Sequence, residues 1–305
     1  MTSRALSVNY KSTNVRNNGR HGRRLPLLLA LVGRLAPGLT GRLIKRSFFA
    51  PATPVLSNPA KQYLATGRRF YFEVHGKKIC GRQWGQGPGI LFVHGWNGRG
   101  VQFWPLFKTL LSNGYRVVTY DGPAHGESQG KTTNYFEIAD TVSAFFEQVA
   151  EHNIEGVIAH SLGASAVINH LATRQSDIEA VLVAPALQPG KILRHAFNHH
   201  GVPRKVYENL IAKLEDQYGY SLLRDSPHLL ARQITSRVLV IHDRDDQTTP
   251  YADSKQISEN LTNIVLHTTS GLGHKRILSD PGIMDLVQAY ILERCGPGQH
   301  SQQAT

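Results

Sequence analysis

Ser161 stands between a short apolar run, Ile154 to Ala159, and a helical pattern carried by Leu162, Val167, Ile168 and Leu171. A serine at a strand-to-helix junction sits on a sharp, strained turn, so its hydroxyl projects from the sheet edge. Strand and helix nearly touch there, which demands small residues two places before and after; Ala159 and Gly163 occupy them. A serine hydroxyl is a weak nucleophile at neutral pH and needs a base within hydrogen-bond reach. An imidazole whose second nitrogen is held by a carboxylate is such a base. His274, in Gly271-Leu272-Gly273-His274, offers the imidazole, and His242-Asp243-Arg244-Asp245-Asp246 offers three carboxylates. Together they could attack a carbonyl and form an acyl-enzyme. On its own, a small-x-Ser-x-Gly string fits an ordinary strand-to-helix connection equally well, so the weight falls on where the other residues lie.

The elements that must position them alternate. Strands are expected over Phe70 to Val74, Lys78 to Trp84, Gly89 to Val93, Tyr115 to Tyr120, Ile154 to Ala159, Glu179 to Val183, Arg237 to Ile241 and Ile264 to His267. Helical patterns cover Gln102 to Leu111, Tyr135 to Ala150, Ser161 to Arg174, Tyr251 to Asn260 and Asp285 to Arg294. Such alternation predicts an α/β fold with a mostly parallel sheet covered on both faces. Chemistry in these sheets collects at the carboxyl ends of the strands. His94-Gly95-Trp96, Asp121 to Gly126, Ser161, Asp243 to Asp246 and His274 all follow strands. Residues 185 to about 235 break the rhythm with helical segments and read as a cap insertion, in which Phe197, Tyr207, Tyr218 and Tyr220 are expected to shape an apolar pocket.

At these motifs the chain resembles the α/β-hydrolase superfamily, with nucleophile, acid and histidine in that order, and within it a bacterial group of unsettled substrate. His94-Gly95-Trp96, Asp121-Gly122-Pro123-Ala124-His125-Gly126, Ala159-His160-Ser161-Leu162-Gly163, His242 to Asp246 and Gly271 to His274 carry the resemblance, over roughly residues 65 to 294. It implies an α/β-hydrolase fold, Ser161 as nucleophile and His274 as base. It implies Asp246 as the acid, because the family's aspartate lies four residues before a proline, here Pro250. Asp243 and Asp245 are then turn formers. The family's oxyanion donors fall on the backbone N–H groups of Leu162 and Trp96, with the Trp96 indole walling the pocket. The implied activity is a serine hydrolase acting on a carboxylic ester, a small molecule, without metal or cofactor. Thioester or amide cleavage uses the same machinery, and a non-catalytic ligand-binding member of the fold is the alternative from another class. A serine nucleophile excludes the aspartate-based chemistry of epoxide hydrolases and dehalogenases. Of the other histidines, His160 is expected to point away from the nucleophile, His125 to pack, and His199-His200 to lie at the surface or line the pocket in preference to binding a metal; Asp121 is expected to organise a loop.

Length, composition and charge bound the rest. The 305 residues suffice for one large domain with an insertion, and 41% hydrophobic with 18% charged residues suits a globular chain. Cys80 and Cys295 have no metal or disulfide spacing. The net charge of +12 is confined to one end: residues 1–72 hold thirteen of the 34 Lys and Arg and no acid, leaving 21 basic against 22 acidic residues elsewhere. A near-neutral body argues against a nucleic-acid groove. Residues 1–64 read as a basic leader and an amphipathic helical arm through Leu39, Leu43 and Ile44, which packs on the body or touches an anionic membrane surface. Residues 65–294 form the hydrolase-like domain and 295–305 a flexible tail. The expected location is cytoplasmic, with the inner membrane face as an alternative tied to the arm.

Overall fold

The computed structural model describes residues 48–149 and 153–295. Eight apolar runs form one sheet: β1 (Arg68–Val74), β2 (Lys77–Trp84), β3 (Gly89–Val93), β4 (Arg116–Tyr120), β5 (Ile154–His160), β6 (Glu179–Val183), β7 (Val238–Asp243) and β8 (Ile264–Thr269). Their order across the sheet is β1-β2-β4-β3-β5-β6-β7-β8. Only the β1–β2 and β2–β4 pairs are antiparallel; from β4 to β8 every pair is parallel. Parallel strands must return through crossovers, so helices cover both faces.

Successive side chains of a strand point to opposite faces, and the core divides accordingly. Leu91 and Val93 of β3, Val157 and Ala159 of β5, and Val240 of β7 join one cluster with α3 (Tyr135–Gln148) and α4 (Leu162–Arg174). Ile90 and Phe92, Ile158, and Leu239 and Ile241 join the other, with α1 (Asn58–Thr66), α2 (Trp104–Ser112) and the C-terminal helix Pro281–Arg294. That partition leaves the carboxyl ends of β3, β5, β6 and β7 side by side, where the polar loops emerge.

The strands and helices fall where the sequence pattern puts them, with differences that have local causes. β7 runs on to Asp243 and β8 to Thr269, because His242 and Asp243 pair with Thr268 and Thr269. The helix expected from Gln102 opens as a 3-10 turn over Gly100–Phe103, and the α-helix starts at Trp104 with Pro105 in its first turn. Helix α1 crosses the expected boundary at residue 64; Ser57 caps it, and the Trp84 indole donates to the Tyr63 carbonyl at 3.1 Å. The arm through Leu39, Leu43 and Ile44 and the tail after Cys295 lie outside the described residues. No helix among the described residues is long and apolar enough to cross a membrane.

Between β6 and β7 lie α5 (Pro189–His199), α6 (Arg204–Tyr218) and a helical turn over Pro227–Leu230. Their aromatic rings are engaged differently from expectation. Phe197 is fully buried against Phe48, Phe49 and Tyr207. Tyr218 stacks on Phe136 of α3, and the Tyr220 hydroxyl donates to the Phe136 carbonyl at 2.9 Å. These rings fasten the insertion to the body, because apolar area gains more from a dry contact than from lining an open cleft.

Candidate active site

The junction at Ser161 has the strained geometry its neighbours imply. Ser161 is in a positive-φ conformation, φ 54° and ψ −120°, a region that costs a non-glycine residue about 1–3 kcal/mol. Its amide donates to Val183 of β6 at 2.9 Å, and its carbonyl accepts from Ala186 at 3.2 Å. The buried Ser165 hydroxyl adds donations to the Ser161 and Ala186 carbonyls at 3.2 and 2.6 Å. Two glycines let the surroundings close in. A Cβ on Gly163 would lie 2.4 Å from the His94 carbonyl oxygen, and one on Gly95 would lie 2.7 Å from Ser161 Cβ and 3.4 Å from the Leu162 nitrogen. The His94-Gly95-Trp96 turn is therefore pressed against the serine and the first residue of α4. Trp96 is half-buried, its indole edge-on to His125 at 5.6 Å, and Leu162 is half-buried as well.

The structure brings Ser161, His274 and Asp246 into one hydrogen-bonded line. His274 Nε2 lies 3.0 Å from Ser161 Oγ, and His274 Nδ1 lies 2.7 Å from Asp246 Oδ2. A carboxylate only accepts, so Nδ1 carries the proton and Nε2 is free to receive one. Asp246 Oδ1 accepts from the amides of Thr248 and Thr249 at 2.7 and 3.0 Å, and Oδ2 from the Thr249 hydroxyl at 2.8 Å. Burial alone would raise this carboxyl's pKa; hydrogen bonds from His242, His274 and the Thr249 amide outweigh it and hold it far below the usual range. Asp246 is thus a fixed anion aimed at one face of an imidazole whose other face meets a hydroxyl.

Asp243 and Asp245 do more than form a turn. Asp243 Oδ2 accepts from the Thr269 hydroxyl and the Leu272 amide at 2.7 and 3.0 Å, while Asp245 Oδ2 accepts from the Ser270 hydroxyl and the Gly271 amide at 3.0 and 2.8 Å. They bind the loop that carries His274. Asp121 is committed elsewhere: its carboxylate takes two bonds from Arg99, at 2.7 and 3.1 Å, and one each from the Gly100 and Glu127 amides, at 3.0 Å.

Three further buried histidines brace these loops. His94 Nε2 accepts from the Gly122 amide at 2.8 Å, and His125 Nε2 accepts from the Asn97 amide at 3.2 Å. His160 does not idle beside the serine: its Nε2 meets the His274 carbonyl at 3.0 Å, and the two rings lie 4.7 Å apart. Burial lowers the pKa of all three, to about 3 for His125 and His160, which keeps them neutral. The sequence pattern placed His160 and His242 at strand ends but assigned neither a task; their position at the carboxyl edge of the sheet was the available signal. His199 and His200 are exposed with rings 5.2 Å apart. Among the described residues no group of three or more His, Cys, Asp or Glu could hold a metal ion. Burial pushes the Cys295 thiol up to about 12 and raises Cys80 as well, so neither is a ready nucleophile.

Comparison with known proteins gives a consistent assignment. Residues 90–283 match the model of the alpha/beta hydrolase family. A non-heme chloroperoxidase of Streptomyces lividans is 25% identical over 261 residues, covering 69% of this chain and 94% of that protein. A bifunctional esterase/perhydrolase of Acinetobacter calcoaceticus is 28% identical over 143 residues, covering 44% of this chain and 50% of that protein. Among solved structures, an esterase of Pyrococcus furiosus superposes with a TM-score of 0.61 at 20% identity, covering 81% of this chain and 100% of that one. At that identity the superposition speaks to the fold.

Proposed function

The chain belongs to the alpha/beta hydrolase family, and from that premise we propose that it is a serine hydrolase that cleaves a carboxylic ester through an acyl-enzyme. The observation that carries this reading is His274 held between Asp246 at 2.7 Å and Ser161 at 3.0 Å. Ser161 Oγ attacks the ester carbonyl while His274 Nε2 takes the hydroxyl proton. The tetrahedral oxyanion forms beside the amides of Leu162 and Trp96, donors of a kind worth about 3 kcal/mol each. Collapse breaks the ester bond, and the imidazolium returns its proton to the departing alkoxide. Water then repeats the sequence on the acyl-enzyme: His274 removes its proton, the acyl–oxygen bond to Ser161 breaks, and a carboxylic acid leaves. The Asp246 carboxylate holds the tautomer and stabilises the transient imidazolium. Esterase occurs in the name of the Acinetobacter relative, which supports ester cleavage over amide or thioester cleavage.

A fluorophosphonate probe tests the reading. It should label Ser161, and Ser161→Ala should abolish labelling while leaving the thermal melt in place. Ester, thioester and amide panels then rank the substrate classes. A folded protein that is neither labelled nor active on any panel would instead be a ligand-binding member of the fold.

A further inference from the structure

Asp246 faces two histidines. Its Oδ2 lies 2.7 Å from His274 Nδ1 and 3.4 Å from His242 Nε2. The His242 side chain is fully buried. Its Nδ1 lies 2.7 Å from the hydroxyl of the equally buried Ser254, and its Nε2 lies 3.2 Å from the Thr249 carbonyl. Nε2 is surrounded by acceptors, so it carries the ring proton, and Ser254 donates to Nδ1. The residues read Ser254, His242, Asp246, His274, Ser161, two serine–histidine pairs facing one carboxylate.

We propose that His242 is a positioning residue for the reaction: it grips the Asp246–Thr249 turn and shares the carboxylate's charge, and so sets how strongly Asp246 draws on His274. The inference rests on reading Ser161 as the nucleophile. The grip is direct. Thr249, whose carbonyl accepts from His242, supplies Asp246 with an amide at 3.0 Å and a hydroxyl at 2.8 Å. The sharing follows from the 3.4 Å approach of the His242 Nε2–H to Oδ2, because density committed to one donor is less available to another. No other strand supplies a competing charge in the contacts described around His274. From β5, His160 faces its ring and is held neutral by burial; from the elbow, Ser161 faces Nε2; from β7 and its loop come Asp246 and His242.

The test is the pH dependence of the second-order rate at which a fluorophosphonate labels Ser161, measured for the natural protein, His242→Asn and His242→Gln. Asparagine can keep the Ser254 contact but withdraws the N–H from Asp246; glutamine can restore an N–H there. His242→Asn should lower the plateau rate about 10- to 100-fold, the scale of a small misplacement in an active site. Its low-pH limb should move to higher pH, since a carboxylate relieved of one donor stabilises the imidazolium more. His242→Gln should recover both in part. A lowered plateau with an unmoved limb, or equal behaviour of the two variants, overturns the proposal, because a purely structural role would give that result. Should His242→Asn not fold, His242→Met fills the ring's volume without a donor and is read by the same outcomes. Failure of the natural protein to label at Ser161 sinks the hydrolase reading and this inference with it.

Discussion

His160, the residue before the elbow serine, donates from Nε2 to the backbone carbonyl of His274 across 3.0 Å. The last residue of β5 thus holds the loop that carries His274, while the next residue in the chain is Ser161 itself. His160→Phe keeps the ring volume and loses the donor, so turnover should fall about 10- to 100-fold with a modest loss of stability. His160→Gln, with an amide N–H near the same place, should recover much of the turnover. Equal losses in both variants would mean that packing, not the hydrogen bond, is what His160 supplies.

Asp246 should be the carboxylate whose neutralisation silences the enzyme. In a serine protease the corresponding aspartate-to-asparagine change costs about 10⁴ in turnover, through the wrong imidazole tautomer. Asp246→Asn should fall on that scale. Asp243→Asn and Asp245→Asn loosen the Thr269–Leu272 loop and should cost on the order of 1 kcal/mol in stability with about tenfold in turnover. Steady-state kinetics on an active ester, beside thermal melts, separate the two patterns. A chelator should change none of these rates, since the proposed base is an imidazole.

Stability should fall as the solution is acidified below pH ~6.5, the ordinary histidine value. Burial puts His125 and His160 at about 3 and His170 at about 4 in the folded protein. A folded pKa below the unfolded one means that the unfolded chain binds more protons in the window between them. The contribution is complete above the unfolded value and is lost as pH falls toward the folded one. For deeply buried groups it is on the order of a few kcal/mol each. Melting temperature should be nearly flat above pH ~7 and decline steadily toward pH ~4. His125→Gln should start lower and decline less; a parallel decline would assign the acid sensitivity to other groups.

Gly163→Ala and Gly95→Ala should both damage the site, by different amounts. The added methyl at Gly163 meets two backbone oxygens, at 2.4 and 2.8 Å, and that at Gly95 meets Ser161 Cβ at 2.7 Å and the His160 carbonyl at 2.9 Å. Overpacking of this kind costs about 1–3 kcal/mol. Gly163→Ala should unseat α4 and lower the melting temperature. Gly95→Ala displaces Trp96 and should reduce probe labelling more than stability. Unchanged melting of Gly163→Ala would show that the elbow has slack that the contacts deny.

The sequence alone determined the strands and most helices of the body, since a period of two or of 3.6 records which side of an element is dry. It also determined the candidate nucleophile and base, because Ser161 and His274 lie in loops that follow strands. Choosing Asp246 among three neighbouring carboxylates needed the family pattern, and the structure then put that residue, not Asp243 or Asp245, against His274. Local patterns were silent on the remainder. Phe197, Tyr218 and Tyr220 look like pocket walls as a string of aromatic residues, and only their contacts with Phe48 and Phe136 make them fasteners. His160 reaches His274 across 114 positions, and Asp243 reaches Leu272 across 29. Periodicity reports how a residue faces its own element's core; which polar atoms of distant elements meet is decided by strand order and loop path, and those exist only once the sheet is assembled.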